Sequence, residues 1–307
     1  MSRSAASRPT VAVLHPGQMG AAVAGQLRRA EIDVLWCPTD RSDATVKRAD
    51  AAGLRPIDAL GDLLDRANVV LSVCPPATAE DVARSVAAHR YSGVYVDANA
   101  ISPARMGRVH QALHDAGAQV VDGAIIGPPP GDGASARLYL AGPERAVTDI
   151  ATLFTGTAVE AVPLGTTIGT ASGLKMAYAS YQKASRTLAG VAHALAADLD
   201  VTEHLLDEAR RNAGSPLADL EYLPSVAARA WRWAPEMLEV AETLRAAGLP
   251  PEQAEAAAAT LGRWTSGKDH QQSMEKTLSD LHGPSAGQGS TAPPRPTRGS
   301  GNDLLLP

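Results

Sequence analysis

Val11–Gly25 reads VAVLHPGQMGAAVAG, and this stretch decides the fold. Thr10–Leu14 is an unbroken apolar and β-branched run, the mark of a strand buried on both faces of a parallel sheet. From Gln18 to Ala30 the spacing turns helical, with Met19, Val23 and Leu27 four residues apart. Between them lies a short glycine-bearing loop. In G-x-G-x-x-G, the glycines allow a tight turn, close backbone approach to a pyrophosphate, and close helix–strand packing. Here those positions are His15, Gly17 and Gly20, so the middle and last glycines are kept and the first is replaced. A helix starting near Gln18 aims its free N–H groups at phosphate. His15, Pro16, Gly17, Gln18, Met19 and Gly20 are therefore expected to form a dinucleotide-binding loop, with His15 a neighbour of the pyrophosphate and not a proton carrier.

Outward from this unit, β-branched runs alternate with helical stretches. Further strands are expected at Asp33–Trp36, Val69–Val73, Val94–Asp97, Gln119–Val121, Arg137–Leu140 and Thr157–Val162. Helices are expected near Asp43–Ala52, Ala79–His89, Pro103–Ala116 and Glu144–Phe154. Such alternation means βαβ units and a mostly parallel, doubly wound sheet of the Rossmann type. After Pro163 the strand signals stop. Ile168–Leu199, Glu203–Asn212, Pro216–Trp233, Pro235–Ala247, Pro251–Arg263 and Lys268–Leu281 all read as helix, with Thr202 placed to cap the second. The chain thus divides into a flexible N-terminus (1–9), an α/β cofactor-binding domain (10–165), an all-α substrate and dimerisation domain (166–282) and a Gly/Pro/Ser-rich tail (283–307). The tail carries too little apolar area to offset its ordering entropy and is expected to be disordered.

The end of the second strand reads the cofactor. An acidic residue there binds the ribose hydroxyls of NAD, whereas arginine accommodates a 2′-phosphate. Trp36–Ser42 is WCPTDRS, so Arg41 and Ser42 favour NADP(H) over NAD(H), with Lys47 or Arg48 able to add charge and Asp40 an awkward neighbour. Ligands in open parallel sheets gather beyond the C-terminal strand ends, which selects Cys74, Pro75, Pro76 and Asn99. The two prolines shape the loop, and the Asn99 amide suits a nicotinamide or a substrate hydroxyl. Cys37 and Cys74 end strands that flank the first strand, too far apart to bond, and each is read as a small apolar residue.

Composition excludes other classes. The net charge of −5 provides no basic field for nucleic acid, and no apolar run is long enough for a membrane span. Two cysteines cannot build a disulfide framework, and MSRSAASRPT lacks an apolar signal segment, so a reducing, cytoplasmic setting is expected. No metal-ligand spacing is seen. Aromatic residues are only 4% of the chain, which favours Ala-rich helix packing over a β-sandwich.

With these segments in place, VLHPGQMG, DGAIIGPPP, SGLKMAYASYQKA and WRWAPEMLEVAETLRAAGLP make Thr10–Leu281 similar to the β-hydroxyacid dehydrogenase superfamily. That group includes 3-hydroxyisobutyrate and 6-phosphogluconate dehydrogenases, with imine reductases as structural relatives. Within it, the chain most resembles actinobacterial NAD(P)-dependent oxidoreductases whose helical C-terminal domain has no assigned function. The family's G-x(5)-K-x-x-x-N motif maps onto Gly169, Lys175 and, in place of asparagine, Ala179. The resemblance makes Lys175 the general acid/base, and a lysine withdrawn from water can pass a proton as hydride moves. Tyr178 or Tyr181 could supply the hydroxyl that the missing asparagine does not. The D-x-P-V-S-G-G substrate loop falls on Asp122–Pro128, where Ile126 replaces serine, Gly127 is kept and Pro128 replaces glycine.

These departures predict a small, relatively apolar substrate. Trp231, Trp233 and Met237 are expected to pack in the interior. Relatives pair through the long first helix of the second domain, which implies a homodimer. The expected activity is hydride transfer between NADP(H) and a hydroxyl/carbonyl carbon, with imine reduction through Tyr178, or cofactor binding without turnover, as alternatives.

Overall fold

The computed structural model describes residues 8–211 and 216–282. The first half alternates β1 (Val11–Leu14), α1 (Gln18–Arg29), β2 (Val34–Trp36), α2 (Asp43–Ala51), β3 (Arg55–Pro56), α3 (Leu60–Arg66), β4 (Val69–Ser72), α4 (Ala79–Ala88), β5 (Val94–Asp97), α5 (Pro103–Asp115) and β6 (Gln119–Ile126). These are followed by β7 (Ala136–Ala141), α6 (Glu144–Leu153) and β8 (Val159–Gly165). One sheet holds all eight strands in the order β3-β2-β1-β4-β5-β6-β7-β8. Its first six strands run parallel in the doubly wound order, reversing direction of travel at β1/β4. β7 returns antiparallel to β6, and β8 pairs parallel to β7.

Burial explains the opening run. Val11 and Val13 join the apolar layer that includes Val23 and Leu27 of α1, whereas Ala12 and Leu14 join the layer on the other face with Leu63, Val86 and Met106. A strand covered on both sides has no solvent face, so it shows no alternation.

The second half is helical: α7 (Thr170–Asp198), α8 (Thr202–Arg210), α9 (Leu223–Ala246), α10 (Glu252–Leu261) and α11 (Met274–Ser279). Met176, Val226, Ala230, Met237, Val240, Ala257 and Leu261 share its core. Small alanines let these helices approach closely around the buried Trp233 and Trp264. Among the described residues, no helix is long and apolar enough to cross a membrane.

Several sequence expectations need correction. β6 runs on to Ile126, because β7 pairs with Asp122–Ile126 and extends the strand into what reads as loop. β3 and α3 were not anticipated; β3 has two residues, too few to show a period. Pro235 does not divide two helices but lies inside α9, whose buried stripe runs unbroken from Ala230 and Trp233 to Met237 and Val240. The carbonyl that Pro235 cannot bond belongs to Trp231, which borders an open cleft. The start of α9 moves in from Pro216 to Leu223, since Pro224 fits only a first turn; 216–218 and 220–222 are 3₁₀ turns.

Thr202 is the first residue of α8 rather than its cap, which is Val201. The final helix is short because Ser273 caps it, accepting from the Lys276 N–H, after a 3₁₀ turn at Gly262–Gly267. Asn212, the tail at 283–307 and residues 1–7 lie outside the described residues.

Candidate active site

α1 begins at the C-terminal end of β1 with Gly17 as its N-cap and no side chain capping it. Its first-turn N–H groups therefore remain for a ligand, and Gly17–Gly20 line a cleft of about 900 Å³. The glycine replaced at His15 has a conformational meaning. His15 adopts φ 62°, the left-handed region glycine occupies without strain and histidine tolerates better than most residues. A Cβ at Gly20 would meet the His15 carbonyl oxygen at 2.9 Å, so this glycine fixes the helix against the loop. At Gly17 a Cβ would meet nothing within 4 Å. That open space is the approach a pyrophosphate needs. Burial, then nearby Arg41, holds the His15 imidazole down at about 4, so it is neutral at pH 7.

At the end of β2, Arg41, Ser42, Thr45 and Arg48 line the same cleft. Both Arg41 Nε and Arg48 Nε are buried without a hydrogen-bond partner, although Arg48 also donates to Thr45 Oγ1 at 3.2 Å. Two orphaned guanidinium donors beside two hydroxyls suit a phosphate group. Lys47 does not line the cleft. A second cavity of about 410 Å³ adjoins it, sharing His15, Asp40 and Arg41 and walled by Val13, Leu14, Cys37, Leu60, Val82 and Val86. Its dimensions and apolar walls suit a flat heterocycle.

Beyond β4 and β5, the Asn99 amide is engaged in holding the loop. Its oxygen accepts from the Cys74 N–H at 2.6 Å, and its NH₂ donates to Ser72 Oγ at 3.1 Å. Burial pushes the Cys74 thiol up, which suits packing and not nucleophilic attack. Below it, Asp97 is buried, accepts from the Asn99 N–H at 3.1 Å and leaves Oδ2 without a partner.

Burial, only partly offset by Asn99, pushes the Asp97 carboxyl up from 3.8 to about 7. A raised folded value means that the native state holds a proton the unfolded chain has released. The associated stability is present below pH 4 and is lost as pH rises through 7. Asp97→Asn keeps the Oδ1 acceptor and removes the titration. Urea unfolding at pH 5 and pH 8 should show the variant's relative stability increasing by about 2–3 kcal/mol. Parallel curves for the two proteins would exclude Asp97 as the titrating group.

α7 is anchored across the edge of the sheet. The Asp122 carboxylate, buried in β6, accepts from the N–H groups of Gly169, Ala171 and Ser172 and from Ser172 Oγ at 2.7 Å. This carboxylate at a helix N-terminus sets the position of every later α7 side chain. Lys175, one turn on, donates from Nζ to the Ile125 carbonyl at 2.8 Å and lies 3.9 Å from Glu236. Glu236 is buried and pairs closely with Lys183, two turns further along α7. Burial lowers Lys183 to about 8 despite that partner, while its two lysine neighbours keep Glu236 below the usual carboxylate value despite burial.

The opposite wall comes from Tyr222 just before α9, from α9 itself and from the segment after the 3₁₀ turn at Gly262–Gly267: Arg229, Trp231, Arg232, Trp233, Lys268 and Asp269. Arg229 stacks over Tyr222 and Trp233, and Lys268 stands 4.5 Å from the Trp231 ring centre.

Residues 10–165 match the family described as the NAD binding domain of 6-phosphogluconate dehydrogenase. The chain belongs to that family. Within the helical half, 196–264 match a domain of unknown function, DUF1932. A conserved hypothetical protein from Sinorhizobium meliloti 1021 is 25% identical, with a TM-score of 0.64 over 90% of this chain and 96% of that one. The 3-hydroxyisobutyrate dehydrogenase of Mycobacterium tuberculosis shares the fold at 17% identity, with a TM-score of 0.70 over 90% of this chain and 100% of its own. An imine reductase from Bacillus cereus shares it at 17% identity and a TM-score of 0.55, over 89% and 98%.

In this member of the 6-phosphogluconate dehydrogenase NAD-binding family, one cleft gathers most of the residues the sequence singles out. His15, Gly17, Gln18, Met19, Gly20, Arg41, Ser42, Cys74, Pro75, Pro76, Asn99, Ile126, Gly127, Lys175 and Tyr178 all line it. Pro16 does not; it is buried beneath the loop. Tyr181 lies outside as well, 74% exposed, although it is only three residues beyond Tyr178 on α7.

Trp231 and Trp233 line the cleft, and of the three expected interior residues only Met237 is fully buried away from it. Lys183, Arg229, Arg232 and Lys268 line the cleft as well, cationic groups that the expectation of a relatively apolar pocket did not include. Sequence reasoning missed Lys183, although it lies two turns from Lys175 on an Ala-rich helix. The sequence also gives no sign that Glu236, Arg229 and Arg232 face α7.

Proposed function

We propose that this chain is an NADP(H)-dependent oxidoreductase transferring hydride to or from a hydroxyl/carbonyl carbon. Residues 10–165 hold the cofactor and 166–282 hold the substrate. The observation that carries this reading is the continuity of one cleft from the uncapped α1 N-terminus and the orphaned Arg41 and Arg48 to Lys175. In this reading Gly17–Gly20 receive the pyrophosphate, Arg41, Ser42 and Arg48 the 2′-phosphate, and the adjoining apolar cavity the adenine. Bound NADP(H) supplies the hydride.

The chain's own residues manage the proton. Lys175 Nζ, oriented by the Ile125 carbonyl, donates to or accepts from the substrate oxygen. Glu236 balances the charge of both lysines from within the buried pair. Tyr178 also lines the cleft, half-exposed and three residues beyond Lys175, which supports imine reduction as the second reading. Nicotinamide fluorescence on titration with NADPH, followed by a panel of hydroxyacids, alcohols, ketoacids and cyclic imines, tests the whole. Absence of NADPH binding would defeat it, and binding without turnover of any compound would favour a non-catalytic cofactor-binding protein.

The same reading includes a homodimer built on α7. Tyr181, Leu188 and Leu195 recur every seven residues and are 59–74% exposed; Val191 and Leu199 flank them. An apolar stripe of that length on one helix face needs a cover. Leu188→Glu with Leu195→Glu should raise the dimer dissociation constant by about two orders of magnitude or more in analytical ultracentrifugation. A wild type that sediments as a monomer at micromolar concentration would contradict it.

A further inference from the structure

Two lysines of α7 share one carboxylate. Lys175 and Lys183 lie on one face of the helix with Ala179 midway between them, and all three line the cleft. Ala179 is buried and carries only a methyl, which leaves room for a side chain from α9. Glu236 takes that room: it pairs closely with Lys183 and stands 3.9 Å from Lys175 Nζ. Among the described residues, no other carboxylate lies within ion-pair distance of either lysine.

The sharing is unequal. Lys175 donates to the Ile125 carbonyl at 2.8 Å, and its separation from Glu236 is roughly 1 Å too long for a hydrogen bond. Lys183 is buried against α9, its Nζ 5.4 Å from the Trp233 ring centre. Burial lowers it only to about 8, so at pH 7 it keeps its charge and holds the carboxylate. Arg232, on α9 itself, adds a weaker attraction to Glu236. α9 is pinned next to this point: Glu239, one turn beyond Glu236, accepts from the Ser102 N–H at 3.0 Å and pairs with Arg105. A change of partner by Glu236 is therefore a swing of its side chain and not a shift of its helix. The swing toward Lys175 is short.

We propose that Lys183 is a positioning residue for Lys175: by holding Glu236, it keeps that carboxylate from closing onto Lys175 Nζ and drawing it off the Ile125 carbonyl. A closed ion pair stabilises the charged ammonium and occupies an N–H that the substrate oxygen needs. Lys183 thus acts through Glu236 and touches no reacting atom. The proposal rests on the oxidoreductase reading, in which Lys175 exchanges a proton with the substrate.

The test needs a readout besides turnover. Trace labelling of the full chain with acetic anhydride, followed by peptide mass spectrometry, measures Lys175 reactivity against that of the exposed Lys47. Lys183→Met should lower Lys175 labelling by about tenfold and kcat by about 10- to 100-fold, with KM within about threefold. Adding Glu236→Gln to Lys183→Met should return the labelling to within about twofold of wild type, because nothing is left to capture Lys175. Lys183→Arg, which keeps a cation, should recover most of both losses. Unchanged Lys175 labelling in Lys183→Met, as when Arg232 takes over Glu236, would overturn the proposal. Removing one partner of a buried pair can cost the fold itself, so thermal unfolding is followed by circular dichroism for each variant. If Lys183→Met does not fold, Glu236→Gln is compared with Glu236→Gln/Lys183→Met. The two should agree within about twofold in labelling and kcat, and a further loss on removing Lys183 would give it a role of its own and defeat the proposal. If the labelling changes as expected but no substrate is turned over, the oxidoreductase reading falls and the hold of Lys183 on Glu236 stands.

Discussion

Lys175→Ala should lower turnover by about 10²- to 10⁴-fold while leaving the NADPH Kd within about twofold. The size follows from the role. A positioned acid/base acts on the proton in the transition state, so its loss falls on kcat and kcat/KM together. In the proposed pose the 2′-phosphate and pyrophosphate of NADPH bind elsewhere, at the α1 loop and at Arg41 and Arg48, and have no contact to lose. Lys175 is held for this work by the Ile125 carbonyl at 2.8 Å, fifty residues away in sequence, and by the helix start that Asp122 anchors.

Two further variants separate proton transfer from charge. Lys175→Arg preserves a cation but cannot release its proton near neutrality, so it should be about as impaired as alanine if the proton is what matters. Recovery of most activity in Lys175→Arg would reduce the residue to an electrostatic role. Tyr178→Phe should change kcat by less than about tenfold. The opposite pattern, with activity surviving Lys175→Ala and vanishing in Tyr178→Phe, would move the assignment to imine reduction.

Arg41→Ala should raise the NADPH Kd by about 10- to 100-fold and leave NADH nearly unchanged; Arg48→Ala should act in the same direction. Each has a buried Nε with no protein partner, and a charge-assisted bond to a dianion contributes about 1.5–3 kcal/mol when it satisfies such a donor. Combining the two substitutions should approach the product of the single effects unless one arginine moves to cover for the other. Ser42 and Thr45 add hydroxyls at the same place, so some residual preference for NADPH should survive both changes. Equal losses of NADH and NADPH would remove the 2′-phosphate from this corner. Such a result would leave the pyrophosphate loop untouched, because Gly17 and the first turn of α1 do not depend on either arginine.

Much of the cofactor half was legible residue by residue. The apolar run at Val11–Leu14 reported double-sided burial, and Arg41 and Ser42 were found where the second strand had to end. His15 looked like damage to the glycine pattern, yet it adopts the left-handed backbone that the missing glycine would have supplied. Sequence spacing could not show this, since φ is not written in residue type for a histidine. β6 was read short because its second half is made a strand by β7, a partner that lies beyond the Gly/Pro loop.

The substrate half was legible only along single helices. Lys175 and Tyr178 could be placed on one helix face because they lie three residues, less than one turn, apart. Tyr181 could not be assigned to solvent or cleft until α7 was docked. Pro235 read as a helix break because local chemistry alone was weighed, whereas the buried stripe of α9 outweighs one lost hydrogen bond.

Local spacing was therefore enough to establish a Rossmann-type sheet, its opening strand–loop–helix unit, a helical second half and one lysine of interest. Periodicity encodes which face of each element is covered, and a turn-sized motif needs only its own neighbours. Tertiary packing decided which charges face one another across the cleft. Lys183 meets Glu236, Lys175 meets the Ile125 carbonyl, and Arg229 and Arg232 share one wall of the cleft. Those relations join segments that no short-range period connects, so the charge of the pocket follows from how α7 and α9 pack rather than from either helix alone.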